Sequence, residues 1–529
     1  KHYAGGHEMS KPILRRYNAH VWDEPLIMNM GIEGERGITI PQAEQGIQKT
    51  VGSAQSYVPA GMQRRRDVEL PEISQPHVLR HYLRLSQMTL GMALNIDIGM
   101  GTCTMKYSPQ VNEELVSLPY FAELHPYQDE DTVQGILQIM YEFSRFMCEI
   151  SGMDEFTFQP GGGAHGIYTN ACMIKKYHEV SGDLKQRDEI ISTIFSHPAD
   201  AACPATAGFK VVSLYPDPEI GLPDVEALKA AVSKRTAGLM ITNPEDTGIF
   251  NPMIDEFVNI IHEAGGLCAY DQANSNALFG IARAREAGFD MCHFNIHKAF
   301  SSPHGCMGPA CGAVGTKKEI ADYLPVPIVT FDGSRYHLDY NRRHSVGKVR
   351  CFLGNIETML RAYAWVMGMG PDGLRQVSET SVINTNYLIK KMSSVRGVTT
   401  AYPKQARRLD QVRFSLEKLK EDTGVTTDDV ARRMIDFGVQ EYFTSHHPWI
   451  VPEPFLPEPC DTYSREDIDY WVEVIRNVCQ EAYENPETVK SAPHNQAVTK
   501  INRQDLDDPD RYAMTWRAYV RKSKSKGRK

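Results

Sequence analysis

Residues 237–271 read AGLMITNPEDTGIFNPMIDEFVNIIHEAGGLCAYD, and they decide the fold class. The apolar run Ala237–Thr242 has strand length and is closed by Asn243-Pro244, so it reads as a buried strand. From Ile254 to Ala264 apolar residues recur at helical spacing, and Gly265-Gly266 ends the helix. Leu267–Tyr270 is a second buried strand, and it stops on Asp271. Strand, helix, strand with short connections is the unit of a parallel sheet.

The alternation continues in both directions. Upstream, Ile190–Phe195 and Phe209–Tyr215 read as strands, and Val225, Leu228 and Val232 give Asp224–Ser233 helical spacing. Downstream, Met291–Ile296 ends on His297-Lys298, and Cys311–Gly315 precedes a helix over Lys317–Tyr323. An α/β fold with a mostly parallel sheet covered by helices on both faces is expected. A third zone begins near Gly373. It holds a strand over Val412–Leu416, a helix over Thr427–Phe437, a proline-bearing ordered loop over Trp449–Cys460, and a helix over Ser464–Ala482 opened by a Ser464/Asp467 capping box. Before about Gln110 the chain is polar and rich in Gly and Pro, with one helical patch at Pro76–Gln87. The expected organisation is an N-terminal arm (1–110), a large domain (111–372) and a small C-terminal α/β domain (373–529) with a basic tail.

Bulk composition narrows the classes. The 529 residues are 42% hydrophobic and 23% charged, ordinary for globular chains. A net charge of −9 argues against a general nucleic-acid binder. The tail from Arg521 to Lys529 is the basic exception and reads as a solvated, disordered end. The 11 cysteines are scattered and never form CxxC; only Cys306 and Cys311 lie close together. That pattern suits free thiols in a reducing cytoplasm, with no metal site. No apolar run is long enough to span a bilayer. Residues 1–8 lack the apolar stretch of a signal peptide and are expected to lie outside the fold.

In an open parallel sheet, ligands sit at the carboxyl ends of the strands. Two of those ends carry Asp271 and His297-Lys298, and 298 − 271 = 27 residues is about one strand–helix–strand unit. The pairing suits pyridoxal phosphate (PLP): a lysine amine forms an imine with the cofactor aldehyde, and a carboxylate keeps the pyridine nitrogen protonated. On spacing alone, a surface lysine and a capping aspartate fit as well. Gln159-Pro160-Gly161-Gly162-Gly163-Ala164-His165-Gly166 enters helical sequence at Ile167, and such a turn can present N–H groups to a phosphate. His197, at a strand end, could stack on a ring and handle protons; a structural histidine is the plainer alternative.

Longer strings carry a resemblance. Phe294 to Gly305 around Lys298 and Gly101 to Pro109 closely resemble motifs of the glycine decarboxylase P-protein family. So do Glu123-Leu124-His125-Pro126, Gln159-Pro160 with Gly163 to Gly166, Asp271 with Ala273-Asn274, and Ser345 to Asn355 with Arg350. Gly37 to Pro41 and Glu484-Asn485-Pro486 fit too. The likeness spans nearly the whole chain and is to the PLP-carrying subunit of the two-chain form.

The resemblance implies the PLP-dependent transferase fold type I, with active sites lined across a dimer or a pair of similar chains. It implies Lys298 as the Schiff-base lysine, Asp271 at the pyridine nitrogen, and Asn274 at the ring hydroxyl. His197 would stack on the ring and Ala273 would pack on the opposite face. Gly163, Ala164, His165 and His297 would hold the phosphate, and Thr104 and Lys106 would lie near substrate. The implied reaction forms an external aldimine with glycine, releases CO2 and passes the aminomethyl group to a lipoyl carrier, the H-protein. The sequence departs from the family at Phe195-Ser196-His197-Pro198-Ala199-Asp200-Ala201, where Gly-Thr-Asn is gone. It also departs at Ile167, Gln272, Cys306-Met307 and Leu409 to Phe414. An alternative is therefore a PLP decarboxylase, transaminase or carbon–carbon lyase acting on another amino acid without a lipoyl partner. A non-catalytic scaffold chain is a third reading, opposed by the presence of both Lys298 and Asp271.

Overall fold

The computed structural model describes residues 11–66, 70–91, 95–101, 106–125, 127–303, 310–405, 407–446, 449–500 and 515–526. Among these, seven strands form one sheet: β1 (Glu155–Thr157), β2 (Glu189–Thr193), β3 (Lys210–Leu214), β4 (Thr236–Thr242), β5 (Leu267–Gln272), β6 (Met291–Asn295) and β7 (Gly312–Thr316). The order is β1-β7-β6-β5-β4-β2-β3. The run from β3 to β6 is parallel. β7 returns antiparallel to β6, and β1 pairs antiparallel with β7.

The period of two along each strand sorts side chains between two apolar layers. Ile190, Met240, Ala269 and Met291 pack with Ile167, Ala171 and Ile174 of the helix Gly163–Ser181. Ile191, Leu239, Ile241, Cys268 and Tyr270 face the other way, toward Phe143 of Gln134–Ser151 and Phe257, Val258 and Ile261 of Ile254–Glu263. Each fully buried large aliphatic side chain contributes about 1.5–3 kcal/mol of transfer free energy. Both faces are covered, as the near-continuous apolar strands require.

The helix Ile356–Met392 is broken at Gly370 (φ 63), just before Pro371, close to the expected boundary at 373. Beyond it, Thr399–Thr400, Phe414–Ser415 and Pro454–Phe455 form a three-stranded antiparallel sheet. The strand expected over Val412–Leu416 is cut to two residues. Its partner segment contains Pro452, Pro454 and Pro457, which have no N–H for a ladder. The helices Thr427–Met434 and Arg465–Glu484 each open with a full capping box, Thr426/Asp429 and Ser464/Asp467. Their apolar faces, with Val430, Met434, Trp471, Ile475 and Val478, form a third core joined by Ile98. The helix expected over Lys317–Tyr323 is a 3₁₀ segment, Lys318–Tyr323.

The described residues of Lys1–Arg15 and Ile96–Lys490 make one compact unit, and those of Arg16–Asn95 and Ser491–Lys529 a second. In the second, the helix Gln75–Gln87 is tied by His81 Nδ1 and Arg84 Nη1 to Glu24, at 2.8 and 3.1 Å. The described part of the basic tail, 521–526, departs from expectation: it ends the helix Trp516–Lys526, which is opened by a stacked Trp516–Tyr519 pair. No helix among the described residues is long and apolar enough to cross a membrane.

Gly248 fixes a close approach within the first unit. Its φ is +73°, its carbonyl accepts the Leu409 N–H at 3.0 Å, and a Cβ there would collide with the Gln411 carbonyl. Gly248→Ala is expected to cost about 2–4 kcal/mol, from left-handed strain plus overpacking. Urea unfolding checks it, and a loss below about 1 kcal/mol would contradict the steric account.

Candidate active site

Sheet register sets three polar side chains side by side. Thr242 on β4 pairs with Asp271 on β5, which pairs with His293 on β6. Register partners point to the same face. Thr242 Oγ1 lies 3.3 Å from Asp271 Oδ2 and His293 Nε2 lies 3.1 Å from Oδ1. The Ala273 N–H donates to Oδ1 at 2.8 Å. Burial alone would push the Asp271 carboxyl up. His293, His197, the Ala273 N–H and Lys298 outweigh it and hold the carboxyl below its ordinary range. The result is a buried acceptor suited to a cationic N–H.

Lys298 follows β6, with its N–H donating to the Asn295 carbonyl at 3.0 Å, and it is buried. Its charge acts on Asp271, His197, His293 and Asp410, so the two strand-end residues singled out in the sequence share one cluster. His197 follows β2. Its backbone N–H donates to Thr242 Oγ1 at 3.2 Å, and its Nδ1 accepts the Ala199 N–H at 3.1 Å. Burial drives the His197 ring down to about 4, so it is neutral at pH 7 with its proton on Nε2. Burial likewise holds His293 below the ordinary imidazole range.

The glycine turn enters Gly163–Ser181, and the first helical N–H to bond within it is that of Gly166, to Gly162 at 2.9 Å. The N–H groups before it, from Gly163, Ala164 and His165, lie in the first turn, where a helix leaves donors unsatisfied. His165 Nδ1 accepts the Gly161 N–H at 3.1 Å. Burial, then the charge of Arg350, holds the His165 ring below its ordinary range. A Cβ on Gly161 would come within 2.6 Å of Arg350 Nη1, so the guanidinium sits directly on the turn. His297 is buried against the Cys311 carbonyl at 3.2 Å, and its Cε1 flanks Gly162. Together these residues form a cationic cradle with backbone donors, the chemistry of a phosphate site. Arg350 had only motif membership to mark it in the sequence.

Two expectations need correction or qualification. Asn274, expected at a ring hydroxyl, gives its amide nitrogen to both oxygens of Glu458 at 2.7 and 2.8 Å. That donor is committed because Glu458 is fully buried and needs donors; Asn276 supplies another at 2.8 Å. Lys106 is not joined to the Asp271 cluster by any contact among the described residues. Its Nζ pairs with Asp461 Oδ1 at 2.7 Å and lies 4.6 Å over the Trp365 ring. Tyr107, next to it, accepts the Ser301 hydroxyl through its carbonyl, three residues beyond Lys298. Thr104 and Cys306 lie outside the described residues.

A second buried polar group was not foreseen. Arg413 Nη2 binds Asp246 Oδ2 at 3.0 Å, and its guanidinium lies 4.6 Å over Phe195. His446 sits with Nδ1 3.8 Å from Asp246 and its ring 4.9 Å from that of His197. Arg413 stood in the sequence only as a departure from the family string. Nothing local marked His446.

Next to them, burial and the charge of Asp246 push the Glu245 carboxyl up to about 8, against the Thr193 hydroxyl and Arg413. Between its ordinary 4.5 and about 8, the unfolded chain carries the charge and the native one does not. Glu245 therefore makes stability fall as pH rises through that window, by at most about 1.4 kcal/mol per pH unit. Glu245→Gln is expected to flatten this slope in thermal melts from pH 5 to 8; an unchanged slope contradicts the neutral acid.

Comparison with known proteins places the chain in a family and agrees with its fold. Residues 161–427 match the family described as aminotransferase class-V, and residues 377–500 match the C-terminal domain of glycine dehydrogenase. A "Probable glycine dehydrogenase (decarboxylating) subunit 2" of Pyrococcus abyssi is 45% identical over 513 residues, covering 97% of this chain and 99% of that protein. Its counterpart in Caldanaerobacter subterraneus is 44% identical, covering 93% and 97%. Among solved structures, an inhibitor-bound glycine decarboxylase (P-protein) of the glycine cleavage system superposes with a TM-score of 0.68. It is 20% identical and covers 83% of this chain and 100% of that one. At that identity the superposition speaks for the fold.

Proposed function

Because the chain belongs to the glycine dehydrogenase (decarboxylating) subunit 2 family, we propose that it is a PLP-dependent glycine decarboxylase with Lys298 as its imine-forming lysine. One observation carries this reading: the charge of Lys298, which follows β6, acts on the buried Asp271 of the neighbouring strand β5. The residues present fit the cofactor. Gly163, Ala164, His165, His297 and Arg350 surround the turn where a phosphate would be held. Asp271 is an anion in position to accept from a pyridine N–H. His197 is a neutral flat ring beside it, and Ala273 is small enough to pack on an opposite face. When bound, PLP supplies the electron sink for carboxylate loss.

The protein's part is orientation and proton control. Thr242 and the Ala273 N–H fix the Asp271 carboxylate, so that it meets a ring nitrogen without reorganising. Glu458 holds Asn274 and Asn276, fixing the loop after β5. Burial around Lys298 excludes water. The proposal extends to a lipoyl carrier protein as aminomethyl acceptor and to pairing with another chain. A reducing cytoplasm suits the nine described free thiols.

The second reading is a PLP decarboxylase, transaminase or carbon–carbon lyase acting on another amino acid without a lipoyl partner. Glycine-dependent exchange of labelled bicarbonate, with lipoylated carrier present, tests the choice. Exchange with glycine is expected. CO2 release from another amino acid with none from glycine would overturn the first reading for the second.

A further inference from the structure

Thr242 ends β4 with its hydroxyl between two buried carboxyls. Asp200, in the first turn of the helix Ala199–Ala207, is 1% exposed, and its Oδ2 lies 3.0 Å from Thr242 Oγ1. Asp271 Oδ2 lies 3.3 Å from the same oxygen, which also accepts the His197 N–H at 3.2 Å. A hydroxyl has one proton to give and two lone pairs. With both acids ionised, that single proton could serve only one of them. The other would face a lone pair while buried from solvent, an arrangement proteins avoid. One added proton removes the conflict: Asp200 donates to Thr242 or directly to Asp271, with which it also makes a side-chain hydrogen bond, Thr242 donates to Asp271, and the His197 N–H fills the second lone pair.

We propose that Asp200 and Asp271, in contact with each other and with the Thr242 hydroxyl, hold one proton between them, with Asp200 carrying it, making Asp200 a positioning residue that sets the charge Asp271 presents. Burial, and the carboxylate of Asp271 beside it, push Asp200 well above the ordinary carboxylate range, while Asp271 is held below it. The charged and titratable groups facing the pair are Asp246 from the turn after β4, Cys203 from Asp200's own helix, His197 after β2, His293 on β6 and Lys298. The consequence for catalysis rests on the PLP reading above: an acid that accepts from Thr242 is a weaker base toward a pyridine N–H than a bare one. Deprotonating Asp200 would strengthen that base.

Infrared spectra of the apo-protein test the pair without the cofactor. Asp200→Asn keeps a donor to Thr242 and removes the proton that titrates. The native-minus-variant spectrum at pH 7 is expected to show one protonated carboxyl per chain, lost as pH rises; Glu245 and other acids cancel in the difference. A carboxylate band in that difference spectrum would overturn the proposal. Thr242→Val is the second variant, usable if Asp200→Asn does not fold. It removes the bridge and keeps both acids, so the protonated band should titrate at a different pH from the native one; an unchanged titration counts against the pair. In PLP-loaded protein, the visible band of the native chain should shift with pH in a step that Asp200→Asn lacks, and a step retained in Asp200→Asn counts against the pair. If the apo band appears but PLP gives no visible band, the cofactor reading fails and the carboxyl pair stands.

Discussion

Lys298→Ala is expected to leave the chain folded and to abolish its visible PLP band, with glycine decarboxylation falling by roughly 10³-fold or more. Lys298 is buried after β6, and its charge acts on Asp271, His197 and His293. Removing the amine removes the only group proposed to join the cofactor covalently. The cradle around Gly161 and Arg350 remains, so weak non-covalent PLP binding should survive. Melting temperature and absorbance with added PLP are the checks. A variant that keeps the native visible band and native turnover would show that another lysine does the work.

The second large effect is at Asp271. Asp271→Asn keeps the shape and the acceptor for Ala273 N–H but removes the charge that holds a ring nitrogen protonated. Turnover should fall by roughly 10²-fold or more, because the electron sink weakens, while some PLP is retained. The loss should not be recovered by saturating PLP, which separates weak binding from weak chemistry. Near-normal turnover at saturating PLP would remove Asp271 from the mechanism.

Much of this site was legible because it is made of strand ends. The apolar run 237–242 and the run stopping at Asp271 define β4 and β5 to within two residues. Once two parallel strands neighbour one another, their carboxyl ends meet, so spacing made Asp271 and the residues after β6 candidates for one cleft, and the longer motif strings chose that reading over a surface lysine and a capping aspartate. The glycine turn was legible for a similar reason: it opens a helix. The antiparallel return of β7 was not, since a short apolar strand carries no mark of direction.

The rest of the site depends on contacts between distant residues. Glu458 holds Asn274 from 184 positions away, and Arg413 pairs with Asp246 across 167. Asp200 stood only inside a stretch that departs from the family, and the register of Thr242 with Asp271 gives it a partner. Buried polar groups of this kind have no periodicity, and their partners are fixed only when the two cores close. Asn274 shows the limit of motif transfer: the residue is where the resemblance puts it, and its amide serves Glu458.

The account depends most directly on which amine meets the cofactor. Native protein loaded with PLP, reduced with borohydride and digested, will yield a phosphopyridoxyl peptide. The label is expected on Lys298 alone, in the peptide carrying FNIHKAFSSP. A label on a different lysine, or none at stoichiometric PLP, would contradict the site described.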